Sequence, residues 1–195
     1  MGQIDKALPY AQQFNQLEEI LHEAFPDMVE YTAALSISYQ YLANIHLAHH
    51  ELENARIAYE KHLALQQDIY AIDNNNVDYK NSLAIACSKL GQVYLLLDDL
   101  PRAHDYYQQY HDYEQELCSA VPLNMNFKRE LGASYEKIGT LYLLAGDGKK
   151  PFQRIIICGL FTANYLIGFP AAWPTPMAWP LPGNLLATYT WKIGH

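Results

Sequence analysis

The sequence predicts an all-α protein, a superhelix of antiparallel helix pairs, followed by an irregular hydrophobic tail. Three observations predict it: a repeat with a period of 48 residues, apolar residues at three- and four-residue steps inside each repeat, and a change of composition near Gly148. The first two indicate that successive segments form the same helical hairpin, because residues at those steps share one helix face. The third separates a repeat domain, 1–147, from the tail, 148–195.

The repeat is most visible in the first helix of each unit. The segments 39–48, 87–96 and 135–144 share one pattern, in which an aliphatic residue precedes a small residue and a ring follows three residues later. The register continues into the second helix, where Ala55 aligns with Ala103. Agreement over so many spaced positions indicates a true repeat.

Six helices follow from this register. Segment 98–101, Asp-Asp-Leu-Pro, predicts a helix start, since Asp accepts bonds from free backbone N–H groups and proline suits the first turn. The second-type helix that begins there stops before Pro122, because a proline disfavours helix in the residue ahead of it. Gly91 lies in the middle of a helix, which predicts close approach of a neighbouring helix. The predicted helices are 5–25, 28–49, 53–72, 77–97, 101–119 and 126–145.

At these positions the sequence resembles the tetratricopeptide repeat (TPR) family, in its long-helix variety. The middle unit carries Leu90, Gly91, Tyr94, Ala103 and Tyr107 where that family has its signature residues. The period of 48 exceeds the usual 34 of the family, so each helix is longer by roughly two turns. The resemblance implies a TPR-like solenoid with a right-handed superhelical path, and it specifies packing rather than chemistry.

Composition excludes several classes of function. The 195 residues contain 21 acidic and 13 basic side chains, a net charge of −8, which argues against non-specific nucleic-acid binding. Three widely spaced cysteines exclude a disulfide framework and a cysteine-rich zinc site. The N-terminal residues lack the basic-then-apolar order of a signal peptide. We therefore expect a cytoplasmic protein.

Chemically capable residues have structural interpretations. His46, His49 and His50 share a helix face and could bind a metal, but His46 occupies a packing position and no carboxylate or cysteine at ligand spacing joins them. Acidic pairs such as Glu114 with Glu116 are expected to be solvated. We therefore predict no metal, no cofactor and no catalytic residue, hence a protein that is not an enzyme.

A binding function has better support. By the resemblance, the first helix of each pair lines the concave side of the solenoid, and its inward residues suit hydrogen bonding to an extended or helical peptide. The sequence thus predicts a scaffold for a peptide or protein partner; the alternatives are a sensor of a signalling peptide and a membrane-tethered adaptor. The candidate partner-binding residues are Gln40, Asn44, Ser88, Lys89, Gln92, Glu136, Lys137 and Thr140.

The tail follows different compositional rules. All 21 acidic residues and nine basic ones lie in 1–147, a charge of −12, whereas 148–195 carries four basic residues and no acidic one. The repeat register stops in mid-unit, as a frameshift or a truncated gene would produce. Alternatively, residues 155–173 could contact a membrane, or the tail could cover the open solenoid end, where self-association is also possible.

Overall fold

The structure, a computed structural model, describes residues 4–146, and these residues form six α-helices and no strand. Each helix matches a predicted one, with both ends within one residue. The all-α prediction is confirmed, whereas the tail predictions for 148–195, including membrane contact through 155–173, lie outside the described residues. The helices are α1 (Ile4–Ala24), α2 (Val29–Ala48), α3 (Leu52–Ile72), α4 (Val77–Leu96), α5 (Leu100–Ala120) and α6 (Met125–Leu144).

Each helix packs against the next one along the chain, with the most extensive contacts inside the pairs α2–α3 and α4–α5. These pairs are the hairpins of the 48-residue repeat, and α1 and α6 are single helices on either side of them. The architecture of the described residues is therefore an α-helical superhelical repeat. None of the six helices has the length and apolarity needed to cross a bilayer.

The turn after each first-type helix repeats in backbone conformation as well as in sequence. His50, Asp98 and Gly146 are 48 residues apart and have φ angles of 61°, 61° and 74°. This left-handed conformation ends an α-helix, and the Asp99 N–H then donates to the Tyr94 carbonyl at 2.9 Å. Glycine is the residue that adopts it without a steric penalty, and glycine is present in the last unit only.

The starts of the later helices carry side-chain caps, of which the sequence predicted the one at α5. The Asp99 side chain accepts a hydrogen bond from the Arg102 N–H at 3.1 Å at the start of α5. Asn76 and Asn124, one repeat apart, accept from the backbone N–H groups of the first turns of α4 and α6. Met28 occupies the same repeat position before α2 and provides no side-chain cap. The first unit therefore has the least regular helix start.

The small residues in the middle of the helices allow close packing, as predicted. A Cβ atom added at Gly91 would lie 2.5 Å from Cδ1 of Tyr107, which is closer than any side-chain carbon can approach. Ala43, Ala55 and Ala103, the other predicted small positions, have no exposed surface. Contact between the two helices of a pair thus depends on these residues.

A polar pair recurs at two junctions between hairpins. Asn15 Nδ2 donates to Ser38 Oγ at 2.9 Å between α1 and α2, and His111 Nδ1 lies 2.9 Å from Ser134 Oγ between α5 and α6. The two junctions are two repeats apart. Leu63 occupies the corresponding position of α3, so this position is apolar at the central junction. Buried polar groups are therefore tolerated where the repeat provides both partners.

Candidate functional site

The predicted partner-binding residues occupy one side of the first-type helices α2, α4 and α6. We call this side the first-helix face and define it by the repeat positions that the candidates share. Glu136, Thr140 and Asn44 are exposed, and the others are half-buried. The positions are Gln40, Ser88 and Glu136, then Tyr41, Lys89 and Lys137, then Asn44, Gln92 and Thr140, with Ile37 and Ile85 preceding them.

Two of the predicted residues have structural hydrogen bonds. Asn44 Oδ1 accepts a hydrogen bond from the Tyr59 hydroxyl at 2.6 Å, which links α2 to α3. The Thr140 hydroxyl donates to the Glu136 carbonyl at 2.9 Å within α6. Asn44 therefore contributes to the hairpin contact through its oxygen, and the side chain remains exposed to solvent.

Two lysines of neighbouring units come close together on this face. Lys137 Nζ lies 5.2 Å from the centre of the Tyr107 ring. Burial lowers the pKa of Lys137, and the positive charge of Lys89 lowers this pKa further. The two like charges are therefore near enough to repel one another, and an anionic group between them would relieve the repulsion. The sequence placed both residues on one face without indicating their interaction.

The first-helix face also contains exposed apolar residues that the sequence analysis missed. The side chains of Ile37, Tyr41 and Ile85 are 45%, 57% and 38% exposed. Ile37 and Ile85 are one repeat apart, and each precedes its polar neighbours by three, four and seven residues, so they share the same helix side. The repeat register could have revealed them, because it already placed those neighbours. The face is therefore partly apolar rather than only polar.

The histidine cluster at the end of α2 has a structural contact. His46 Nδ1 lies 2.6 Å from Glu51 Oε2, and Asn54 and His46 together lower the pKa of Glu51. The expectation that no carboxylate joins these histidines is therefore wrong, because the left-handed turn at His50 brings Glu51 back to the helix end. Among the residues that the structure describes, no group of three or more His, Cys, Asp or Glu side chains could hold a metal ion.

The two described cysteines are buried or half-buried thiols without a disulfide partner. Cys87 Sγ donates to Gln109 Oε1 at 3.8 Å, and burial raises the pKa of its thiol to about 12. Burial and the charge of Glu114 raise the pKa of Cys118 as well. Because the thiolate is the nucleophilic form, both thiols are held in the unreactive state.

One carboxyl group contradicts the expected solvation of the acidic pairs. Glu114 has no exposed surface, and neither of its side-chain oxygens has a hydrogen-bond partner. Burial first, and the charge of Glu130 second, raise the pKa of Glu114 to about 7. The sequence contained the signal: Tyr107, Tyr110, Glu114 and Leu117 follow the three- and four-residue steps of the buried side of α5.

An open depression of about 600 Å³ lies between α4 and the C-terminal half of α5. It is lined by Lys80, Asp112, Gln115, Glu116 and Ser119, none of which was predicted to bind a partner. Lys80 Nζ and Glu116 Oε2 form an ion pair at 2.7 Å across it. All five lining residues are polar and the depression is open to solvent, unlike a small-molecule pocket, which is usually apolar and enclosed.

Comparison with known proteins adds little to this description. No family model matches the chain, and no curated protein matches it. Thirteen chains of solved structures do match it. One of them, the crystal structure of BtubC (BKLC) from P. vanneervenii, has 12% sequence identity and a TM-score of 0.32, over 93% of this chain and 99% of that one. The helical-repeat class follows from the packing of the six described helices.

Proposed function

We propose that the chain is a non-enzymatic, TPR-like scaffold that binds a peptide or protein partner on the first-helix face. The observation that carries this proposal is the recurrence, over three units, of exposed or half-buried side chains at the same repeat positions. Residues that serve only the fold in this chain are buried or paired between helices, as Gly91 and Tyr107 are. Exposed isoleucines at equivalent positions, Ile37 and Ile85, have no such role in packing.

The chemistry of the face defines the class of partner. Ile37, Tyr41 and Ile85 provide apolar contact, and Ser88 and Gln92 provide hydrogen-bonding groups one and two turns further along. A partner helix or extended segment with apolar residues at regular spacing fits this arrangement. The charges of Lys89 and Lys137 favour an acidic residue in the partner opposite α4 and α6.

Two residues capable of chemistry have structural contacts, which supports a non-catalytic role. His46 pairs with Glu51, and Cys87 is buried with a pKa of about 12. Thiols in this state suit a reducing compartment, so a cytoplasmic location is part of the proposal.

A selection experiment tests the proposal. A random peptide library displayed on phage is selected against the full chain, and the enriched peptides are titrated against Ile85→Asp and Lys89→Glu. We expect each substitution to weaken binding by about tenfold or more. Ile85→Asp places a charge at the centre of an apolar contact, and Lys89→Glu reverses the charge that faces an acidic residue of the peptide. Raising the salt concentration should weaken acidic peptides selectively.

The matched control is Ile57→Asp on α3. Ile57 is 46% exposed and lies on a second-type helix, outside the first-helix face. It should leave peptide binding unchanged within about twofold, which is less than 0.5 kcal/mol. Failure to enrich a common peptide pattern, or equal loss in the control, would contradict binding on this face.

A further inference from the structure

The side of α1 that faces away from α2 carries the most exposed apolar residues of the helix. Tyr10, Leu17 and Ile20 are 74%, 61% and 61% exposed, with Gln13 among them. Their spacing of three and four residues places these four side chains on one helix side. We call these four residues the α1 stripe.

The repeat shows what such a stripe contacts elsewhere in this chain. On α5, two repeats later, the same four positions all contact α3 or α4. Tyr106 stacks on Tyr94 of α4 with ring centres 5.4 Å apart, and Tyr113 meets Tyr70 of α3 at 6.3 Å. The corresponding positions of the stripe are Tyr10 for Tyr106 and Leu17 for Tyr113.

The remaining two positions contact α4. Gln109 accepts a hydrogen bond from Cys87 Sγ, and Glu116 forms the ion pair with Lys80. On α3, one repeat before α5, Lys61 occupies the repeat position of Gln13. Its Nζ donates to the Tyr39 hydroxyl of α2 at 3.1 Å. The same side of a second-type helix therefore packs against a first-type helix in two units out of three: α3 against α2, and α5 against α4.

We propose that the α1 stripe binds one amphipathic helix of a partner protein in the manner in which α5 binds α4. This interface is separate from the first-helix face and does not depend on the proposed function. On α4, the residues that contact Glu116, Gln109 and Tyr106 are Lys80, Cys87 and Tyr94, which are seven residues apart. The partner helix therefore presents residues at seven-residue spacing.

The stripe specifies which residues these are. An aromatic side chain of the partner helix stacks on Tyr10, as Tyr94 does on Tyr106. A small residue meets Gln13, as Cys87 meets Gln109. An apolar residue meets Ile20, because the carboxylate of Glu116 that pairs with Lys80 is absent there. A lysine at that place would lose its ion pair and would be desolvated against an isoleucine.

A peptide derived from α4 tests the interface. The probe is a fluorescein-labelled peptide of residues 77–97 that carries Lys80→Leu, titrated into the full chain and followed by fluorescence anisotropy. We expect saturable binding that Leu17→Asp weakens by about tenfold or more, because Leu17 lies between Gln13 and Ile20 on the stripe and an unpaired charge there would be desolvated against the peptide. The same peptide with Lys80 retained should bind several-fold less tightly.

Controls separate the interface from folding and from self-association. Leu17 is largely exposed, so Leu17→Asp should retain the helical circular dichroism of the parent chain, and Ile57→Asp should bind the peptide as the parent does. Absence of saturable binding, or equal binding by Leu17→Asp, overturns the proposal. So does a wild-type dimer in sedimentation that Leu17→Asp converts to a monomer, because a second copy would then cover the stripe. If the phage selection yields no peptide for the first-helix face, the anisotropy result for the α1 stripe still stands, because the two interfaces are separate.

Discussion

Helices α3 and α5 occupy equivalent places in successive units, and each buries a polar residue at the same repeat position. Only the residue on α3 has a hydrogen-bond partner. Gln66 of α3 donates through Nε2 to Ser36 Oγ at 2.9 Å. Glu114 of α5 stands at the same repeat position, and Ala84 stands at the position of Ser36, so the corresponding hydroxyl is missing. A repeat thus reproduces the backbone and the apolar contacts, while the satisfaction of a buried polar group depends on individual side chains.

The two sites make the stability of the fold respond to pH in opposite directions. Burial lowers the pKa of His62, which lies 2.7 Å from Ser36 Oγ, so the folded chain keeps this imidazole neutral. Stability is then lost as pH falls below 6.5, where the unfolded chain takes up the proton. The raised pKa of Glu114 acts the other way: stability is lost as pH rises from 4.5 to about 7, because the unfolded chain releases its proton first.

The largest effect is expected from Glu114→Gln, which makes α5 resemble α3. At pH 8 the substitution should raise the free energy of unfolding by roughly 3 kcal/mol. The parent chain must at this pH either bury a carboxylate or keep the carboxyl group protonated far above its ordinary pKa, and both cost free energy. Below pH 4.5 the gain from removing the ionisable group should disappear, because the carboxyl group is then protonated in both states. Urea unfolding at pH 4 and pH 8 measures the difference.

The reverse change, Gln66→Glu, serves as the matched control on α3. It should destabilise the chain at pH 8, since a carboxylate would replace the amide that donates to Ser36 Oγ. An effect of Glu114→Gln that is the same at both pH values would contradict the burial of an ionisable carboxyl group.

A smaller effect is expected from Ser36→Ala, which makes the α2–α3 hairpin resemble α4–α5. His62 and Gln66 would lose a common partner in the core, and unsatisfied buried groups destabilise by about 2 kcal/mol in total. Thermal unfolding at pH 7.5, where His62 is neutral in both states, checks the value.

The complementary substitution is Ala84→Ser, which restores a hydroxyl at the equivalent position of α4. Because Ala84 is fully buried, we expect a change of less than about 1 kcal/mol in the parent chain. A loss as large as that of Ser36→Ala would show that space, rather than hydrogen bonding, differs between the two hairpins.

The smallest effect concerns the close contacts inside the hairpins, where α2 has Ala43 and α4 has Gly91. Gly91→Ala places a methyl group against the Tyr107 ring and should destabilise the chain by about 1 kcal/mol net, after the higher helix propensity of alanine is included. The control Ala43→Gly should also destabilise, by roughly 1 kcal/mol, through propensity alone. A stabilising Gly91→Ala would show that the ring moves aside freely.

The order of amino acids was sufficient to predict the helices, because periodicity and capping act over a few residues. The repeat register also placed the eight candidate residues on one side of the first-type helices, although it did not show that Asn44 is bonded to Tyr59. The exposed isoleucines Ile37 and Ile85 were missed because apolar residues in a helix are ordinarily assigned to the core. Glu114 was missed because an acidic residue is ordinarily assigned to solvent.

The 48-residue register alone established the all-α hairpin architecture of the repeat domain, since spacing of apolar residues is a property of the chain. The packed helices settled what depends on distance between segments: the approach of Lys89 to Lys137, the exposure of the α1 stripe, and the burial of Glu114. These features arise where side chains from different units meet, and no local pattern encodes which partner each of them finds.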